Sequence, residues 1–149
     1  MNELTIERVE KAEADFYSAE LHLHAGEYPL SEPACFHCQQ CAEKYLKAYP
    51  QERLVNFERT HNLMPLLAMC VSLDEDFQSL KDNLQELDRY AVVLRYPGVL
   101  VKAESALKTA EGVRQFVRRK LNLKCARWYC KAVCLQTAFI ILISPDLVA

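Results

Sequence analysis

Between Leu73 and Gly98 the apolar residues fall at Leu73, Phe77, Leu80, Leu84, Leu87, Ala91 and Leu94, in steps of three and four. That spacing sets all of them on one stripe of an α-helix. It predicts a single helix over this stretch, stopped by Tyr96-Pro97-Gly98, because proline cannot continue a helix and biases the residue before it toward extended geometry. The same spacing recurs elsewhere. Val9, Ala12, Phe16, Ala19 and Leu23 predict a first helix from Glu3 to Ala25, closed by Gly26. Cys35, Cys38, Ala42, Leu46 and Tyr49 line a second from Glu32 to Tyr49, with Ser31 as its cap, Pro33 in its first turn and Pro50 as its end. Lys44 and Lys47 fall outside that stripe. After a polar loop over 51–59, Thr60 reads as the cap of a short helix carrying Leu63, Leu66, Leu67 and Cys70. Ala103, Ala106, Ala110, Val113, Val117 and Leu121 predict a last helix from Val101 to Leu121, whose alanines favour close helix packing.

Three glycines in 149 residues are too few for the turns of an all-β chain. The length and the 51% apolar content suit one domain with a sizeable core. The expected fold is therefore an all-α bundle of four to five helices over residues 1–123, with an atypical tail over 124–149. In that tail a run from Ala132 to Ile143 is broken only by Gln136 and Thr137. A membrane span needs about 20 apolar residues, so no membrane association is expected from it. An added packed helix, a partner-binding or aggregation-prone segment, and sequence foreign to the ancestral domain all remain open.

The net charge of −2 gives no global steering toward nucleic acid or membrane. The charge is nevertheless uneven. Glu3, Glu7, Glu10, Glu13, Asp15 and Glu20 crowd the start, while Arg114, Arg118, Arg119, Lys120, Lys124, Arg127 and Lys131 crowd the far end. The basic run reads as a solvated face balancing the acidic first helix rather than as a nucleic-acid patch, because few aromatics interleave with the charge. Seven cysteines with no leader pattern point to a reducing cytoplasm and free thiols.

Cys35-x2-Cys38-x2-Cys41 has the opening spacing of a ferredoxin run, but position 45 is Tyr and position 46 is Leu, where a fourth cysteine and a proline are required. Zinc would lack a fourth ligand, since His37 points elsewhere on the helix. His22 and His24 lie on different sides of the first helix and read as rim residues. No metal and no cofactor are expected; Cys35 and Cys38 are packed thiols. No Gly-rich phosphate loop, Gly-x-Ser-x-Gly or His-Glu-x-x-His occurs. Glu43 beside Lys44 and Asp88 beside Arg89 read as ordinary helical charge pairs.

Arg95 falls close to the line of Leu84, at the end of an apolar stripe. A buried, unpaired guanidinium is costly, so Arg95 needs a carboxylate, a phosphate or water. Residues 35–48, Cys-Phe-His-Cys-Gln-Gln-Cys-Ala-Glu-Lys-Tyr-Leu-Lys-Ala, are followed by Thr60-His61-Asn62-Leu63, then Arg89-Tyr90 and Arg95-Tyr96-Pro97-Gly98. In order and spacing, over residues 4–121, this resembles the HEPN domain family. The resemblance implies an up-and-down helical bundle, usually dimeric. Many members are encoded beside a minimal nucleotidyltransferase in toxin–antitoxin pairs, and many are metal-independent RNases with an Arg-x(4–6)-His motif. Here Arg89 is followed six positions later by Arg95, and no histidine occurs after His61.

Such an RNase needs a group to activate the ribose 2′-OH, for which histidine is best suited near neutral pH. Without it, Arg89 and Arg95 can still grip phosphate bidentately. The resemblance therefore implies a non-catalytic module binding nucleotide, RNA or a nucleotidyltransferase partner. Arg89, Arg95, Tyr96, Lys44 and Lys47 are its candidate phosphate or RNA contacts. An active metal-independent RNase toxin using Arg89, Arg95 and His61, and a structural helical adaptor, are the alternatives.

Overall fold

The computed structural model describes residues 1–27, 29–57, 59–90 and 101–123, and all regular structure among them is helical. Helix α1 spans Glu3–Leu23, α2 Ser31–Glu52, α3 Leu63–Leu73 and α4 Lys81–Asp88, with a 3-10 helix Glu75–Leu80 leading into α4; α5 spans Ala103–Lys120. α2 is the central element. It lies along α1 and packs also on α5, α3 and α4. Its neighbour α1 runs antiparallel to it, since His22 meets His37, Asp15 meets Lys44 and Arg8 meets Gln51.

The stripes become the core. Val9, Ala12, Phe16 and Ala19 of α1 face Cys35, Cys38, Ala42, Leu46 and Tyr49 of α2, with Ala106, Ala110, Val113 and Val117 of α5 closing the far side. The four thiols Cys35, Cys38, Cys41 and Cys70 are free and fully enclosed. Burial raises the Cys35 thiol to about 11 and the Cys38 thiol to about 12, so both are neutral packing groups. Among the described residues no three His, Cys, Asp or Glu side chains cluster within reach of one metal ion.

α2 does not end at Pro50. It continues to Glu52, because the carbonyl four residues back, Leu46, which a proline nitrogen cannot serve, accepts the Cys70 Sγ–H at 3.3 Å instead. The helix stops one turn later in a Schellman motif. Leu54 is left-handed at φ 57°, the Val55 N–H donates to Pro50 O and the Leu54 N–H to Gln51 O. α1 closes at Leu23, two residues early, with Gly26 left-handed in the turn that follows.

Neither predicted cap acts as one. Ser31 is the first residue of α2, and Leu30 precedes it with its N–H donating to His22 O. Thr60 Oγ1 accepts the Asn62 N–H in a local turn, and α3 starts at Leu63. The stretch after Leu73 is also not one continuous helix. Asp74 adopts extended geometry and its carboxylate caps Asp76 N–H, so a 3-10 helix intervenes. The stripe survives the break, with Phe77, Leu80, Leu84 and Leu87 buried and Leu73 on the rim. Ala91, Leu94, Arg95 and the Tyr96-Pro97-Gly98 stop lie outside the described residues, as does the tail over 124–149.

The opposite charges of α1 and α5 meet at Glu13. Its carboxylate takes two bonds from Arg114 at 2.8 Å, one from Arg118 at 3.0 Å and one from the Tyr45 hydroxyl. Burial opposes the charge on Glu13, but the Arg114, Tyr45 and Arg118 contacts outweigh it and hold the carboxyl below its usual range. The basic run is thus partly an internal clamp: Arg114 is buried, with Phe16 under its guanidinium.

Candidate functional site

The polar residues of α2 form a ladder along one edge. Gln39, Glu43 and Lys47 recur every four residues, so they stack on one line of the helix. All three are buried, although a surface helix would leave such residues in water. The line faces the segment between α2 and α3. Gln39 Nε2 donates to the His61 carbonyl at 3.0 Å, and Glu43 Oε1 meets His61 Nδ1 at 3.1 Å and Lys47 Nζ at 2.7 Å. Gln40 joins in, donating from Nε2 to Gln39 Oε1 at 2.8 Å and to Glu43 Oε2 at 3.3 Å. Its own oxygen accepts from Lys44, which also pairs with Asp15. Asp15 holds His37 as well, and His37 stacks on His22 with ring centroids 5.3 Å apart.

Glu43 has only 4% of its surface exposed, whereas the His61 side chain is 86% exposed. Burial disfavours the Glu43 charge, but bonds from Lys47 and His61 prevail, so its carboxyl titrates below the usual range. An ionised carboxylate has no proton to give, so the proton between the two residues belongs to His61 Nδ1. The imidazole Nε2 is left without a role in this contact.

Asp88 brings the end of α4 to the same place. Its Oδ1 accepts the Leu63 N–H at 2.7 Å, capping α3 from another helix. The Asn62 side-chain amide donates to the same carboxylate. Arg89, the next residue, is exposed, and Tyr90 is buried. Arg89 therefore follows directly on the residue that grips the segment carrying His61.

The candidate residues of the sequence thus divide. Arg89 and His61 are both exposed and are linked through Asp88, Asn62 and Leu63. Lys47 joins His61 through Glu43 but is itself buried. Lys44 belongs to the Asp15 end of the ladder. Arg95 and Tyr96 lie outside the described residues. The two expected charge pairs do not form: Glu43 pairs with Lys47 rather than Lys44, and Asp88 caps a helix. Adjacent residues on a helix point apart, whereas residues four apart meet. Glu43, Gln39 and Asp88 were missed as site residues; the four-residue repeat Gln39-Glu43-Lys47 was the available signal.

Comparison with known families gives a match to the HEPN domain over residues 6–120. The chain belongs to the HEPN domain family. A solved structure is similar to this HEPN fold: the protein TT1696 from Thermus thermophilus, at 29% identity and a TM-score of 0.62, covering 78% of this chain and 97% of that one. No curated protein gives a significant match. No helix among the described residues of this HEPN chain is long and apolar enough to cross a membrane.

Proposed function

We propose that this HEPN chain is a nucleotide- or RNA-binding module that works as a homodimer beside a minimal nucleotidyltransferase, in a system of the toxin–antitoxin type. The observation that supports this reading is the Asp88 cap, which ties the residue before Arg89 to the segment carrying His61. The guanidinium of Arg89, a donor to phosphate, and the exposed His61 then belong to one neighbourhood of the bundle, alongside the middle of α2. The Arg95-Tyr96 pair beyond Arg89 extends the basic character in sequence; of the α2 lysines, Lys47 reaches this place only through Glu43, and Lys44 is engaged by Asp15.

Binding of a labelled single-stranded RNA and of a nucleoside triphosphate, followed by anisotropy and calorimetry, tests the reading. Affinity falls as salt rises, because phosphate contacts release counterions. Arg89→Ala and Arg95→Ala each weaken binding by roughly 1–3 kcal/mol, the worth of charge-assisted hydrogen bonds. Arg95→Lys recovers only part of the loss, since a point charge lacks the guanidinium fork. Binding unchanged in both alanine variants, measured on folded protein, refutes the reading and leaves a structural adaptor.

A second reading, metal-independent RNA cleavage, is favoured by the Glu43–His61 contact, which provides a carboxylate-held imidazole of the kind that moves protons. Incubating the purified chain with RNA in excess chelator decides between binding alone and cleavage.

A further inference from the structure

Among the described residues several charged side chains pair with one another, Arg114 and Arg118 with Glu13 and Lys47 with Glu43 among them. His61 is an exception in geometry: one ring nitrogen is committed to a buried carboxylate while the rest of the side chain stands in solvent. We propose that Glu43 is a positioning residue that makes His61 a proton-coupled phosphate ligand, so that binding of a phosphate group takes up one proton at His61 Nε2. This rests on the reading that this part of the bundle binds phosphate.

The chemistry follows from the contacts. Because the Glu43 carboxylate accepts from Nδ1–H, neutral His61 presents a lone pair at Nε2, which repels a phosphate oxygen. Protonation converts that nitrogen to a donor without disturbing the Nδ1 bond. The imidazolium then lies between two anions, Glu43 and the phosphate. Its backbone is fixed too, by the Gln39 amide on the His61 carbonyl and by Asp88 on Leu63. Besides Glu43, further charges lie on the elements packed near this segment. From α2, Lys47 shares the same Glu43 oxygen. From α1, Arg8 acts on Glu43. From α4, Asp88 and Arg89 follow one another at the segment's other side, and Arg59 precedes it in sequence. Asp88 is already engaged with Leu63 and Asn62.

The sign is fixed by which form binds. Affinity is full where His61 is protonated and is lost as pH rises through the midpoint of the complex, by at most about tenfold per pH unit for a single coupled proton.

The test uses the full chain with ring-15N-labelled histidine. Without ligand, neutral wild-type His61 shows its proton on Nδ1; in Glu43→Gln that preference falls, and Glu43→Asp restores part of it. Inorganic phosphate, and separately a short single-stranded RNA, raise the His61 midpoint in the wild type. RNA affinity of the wild type falls with pH across that midpoint, while His61→Gln binds more weakly and loses most of this dependence. An Nε2–H tautomer in the wild type, or a His61 midpoint unmoved by either probe, overturns the proposal even if RNA binds. RNA bound with a flat pH profile overturns the coupling and leaves the binding reading intact. No response to either probe at any pH, with the Nδ1–H tautomer present, removes the binding reading and with it this inference.

Discussion

Replacing Glu13 with glutamine keeps the size of the side chain and removes its charge. In the folded chain that carboxylate serves Arg114, Arg118 and Tyr45 at once, and its side chain is 13% exposed, against 10% for Arg114 and 12% for Arg118. Deleting one partner of a buried ion pair costs about 3–5 kcal/mol. The residual exposure and the surviving amide oxygen reduce this to about 2–4 kcal/mol for Glu13→Gln, a fall in Tm of about 10 °C. Urea unfolding of the full chain, followed by circular dichroism, reads the change as a lower midpoint with an unchanged slope.

Tyr45→Phe removes one member of the same network, so the double variant is less destabilised than the sum of the singles by more than about 0.5 kcal/mol, the limit of additivity for independent sites. The pH dependence has a fixed sign. The folded Glu13 carboxyl titrates below its ordinary value, so its contribution is present above that value and is lost as pH falls through the folded one. Wild type therefore loses more stability than Glu13→Gln on acidification below the ordinary carboxylate range. A Glu13→Gln protein within about 0.5 kcal/mol of wild type, or parallel acid profiles, refutes the view of this cluster as the tie between α1, α2 and α5.

Asp88→Ala removes the cap on Leu63 and costs about 0.5–2 kcal/mol, measurable by the same unfolding assay; a neutral result shows that the cap contributes nothing to α3. Cys35→Ala with Cys38→Ala costs about 1–3 kcal/mol of packing, and both native thiols react slowly with an aromatic disulfide reagent at mildly alkaline pH, since neither becomes a thiolate there. Fast modification of either thiol in the folded protein contradicts their enclosure. Leu54→Gly has the opposite sign: Leu54 is 84% exposed and left-handed, so glycine relieves backbone strain of about 1 kcal/mol while giving up little burial, and a raised Tm is the expected result.

The apolar stripes were legible because a 3.6-residue period leaves a direct trace in the order of residues. Val9 to Ala19, Cys35 to Tyr49 and Ala106 to Val117 all became core. What failed were readings of one residue from its neighbours in sequence. Pro50 reads as a stop because proline lacks an N–H, but whether the orphaned Leu46 carbonyl is satisfied depends on Cys70, 24 residues away. Ser31 and Thr60 have capping chemistry, yet the donor that needed a partner, Leu63 N–H, found Asp88 across the bundle. Glu43 looked like half of a surface pair because its burial is decided by how many elements surround α2, and no local pattern carries that number. For the same reason the contact of His61 with Glu43 emerged only from the fold.

The Glu13 clamp also bears on when this bundle can be finished. Arg118 lies 105 residues after Glu13. At a synthesis rate of about 5–20 residues per second, Glu13 waits about 5–20 s on the ribosome before that guanidinium exists. α1 and α2 are adjacent in sequence and can pair within that interval, with the Tyr45 hydroxyl already on the carboxylate. Their α5-facing surface, however, stays wet until α5 emerges. A nascent or truncated chain lacking α5 is therefore a half-built hairpin with a partly desolvated anion at its centre. Such a chain exposes to chaperones and proteases the apolar surface that α5 covers in the finished bundle.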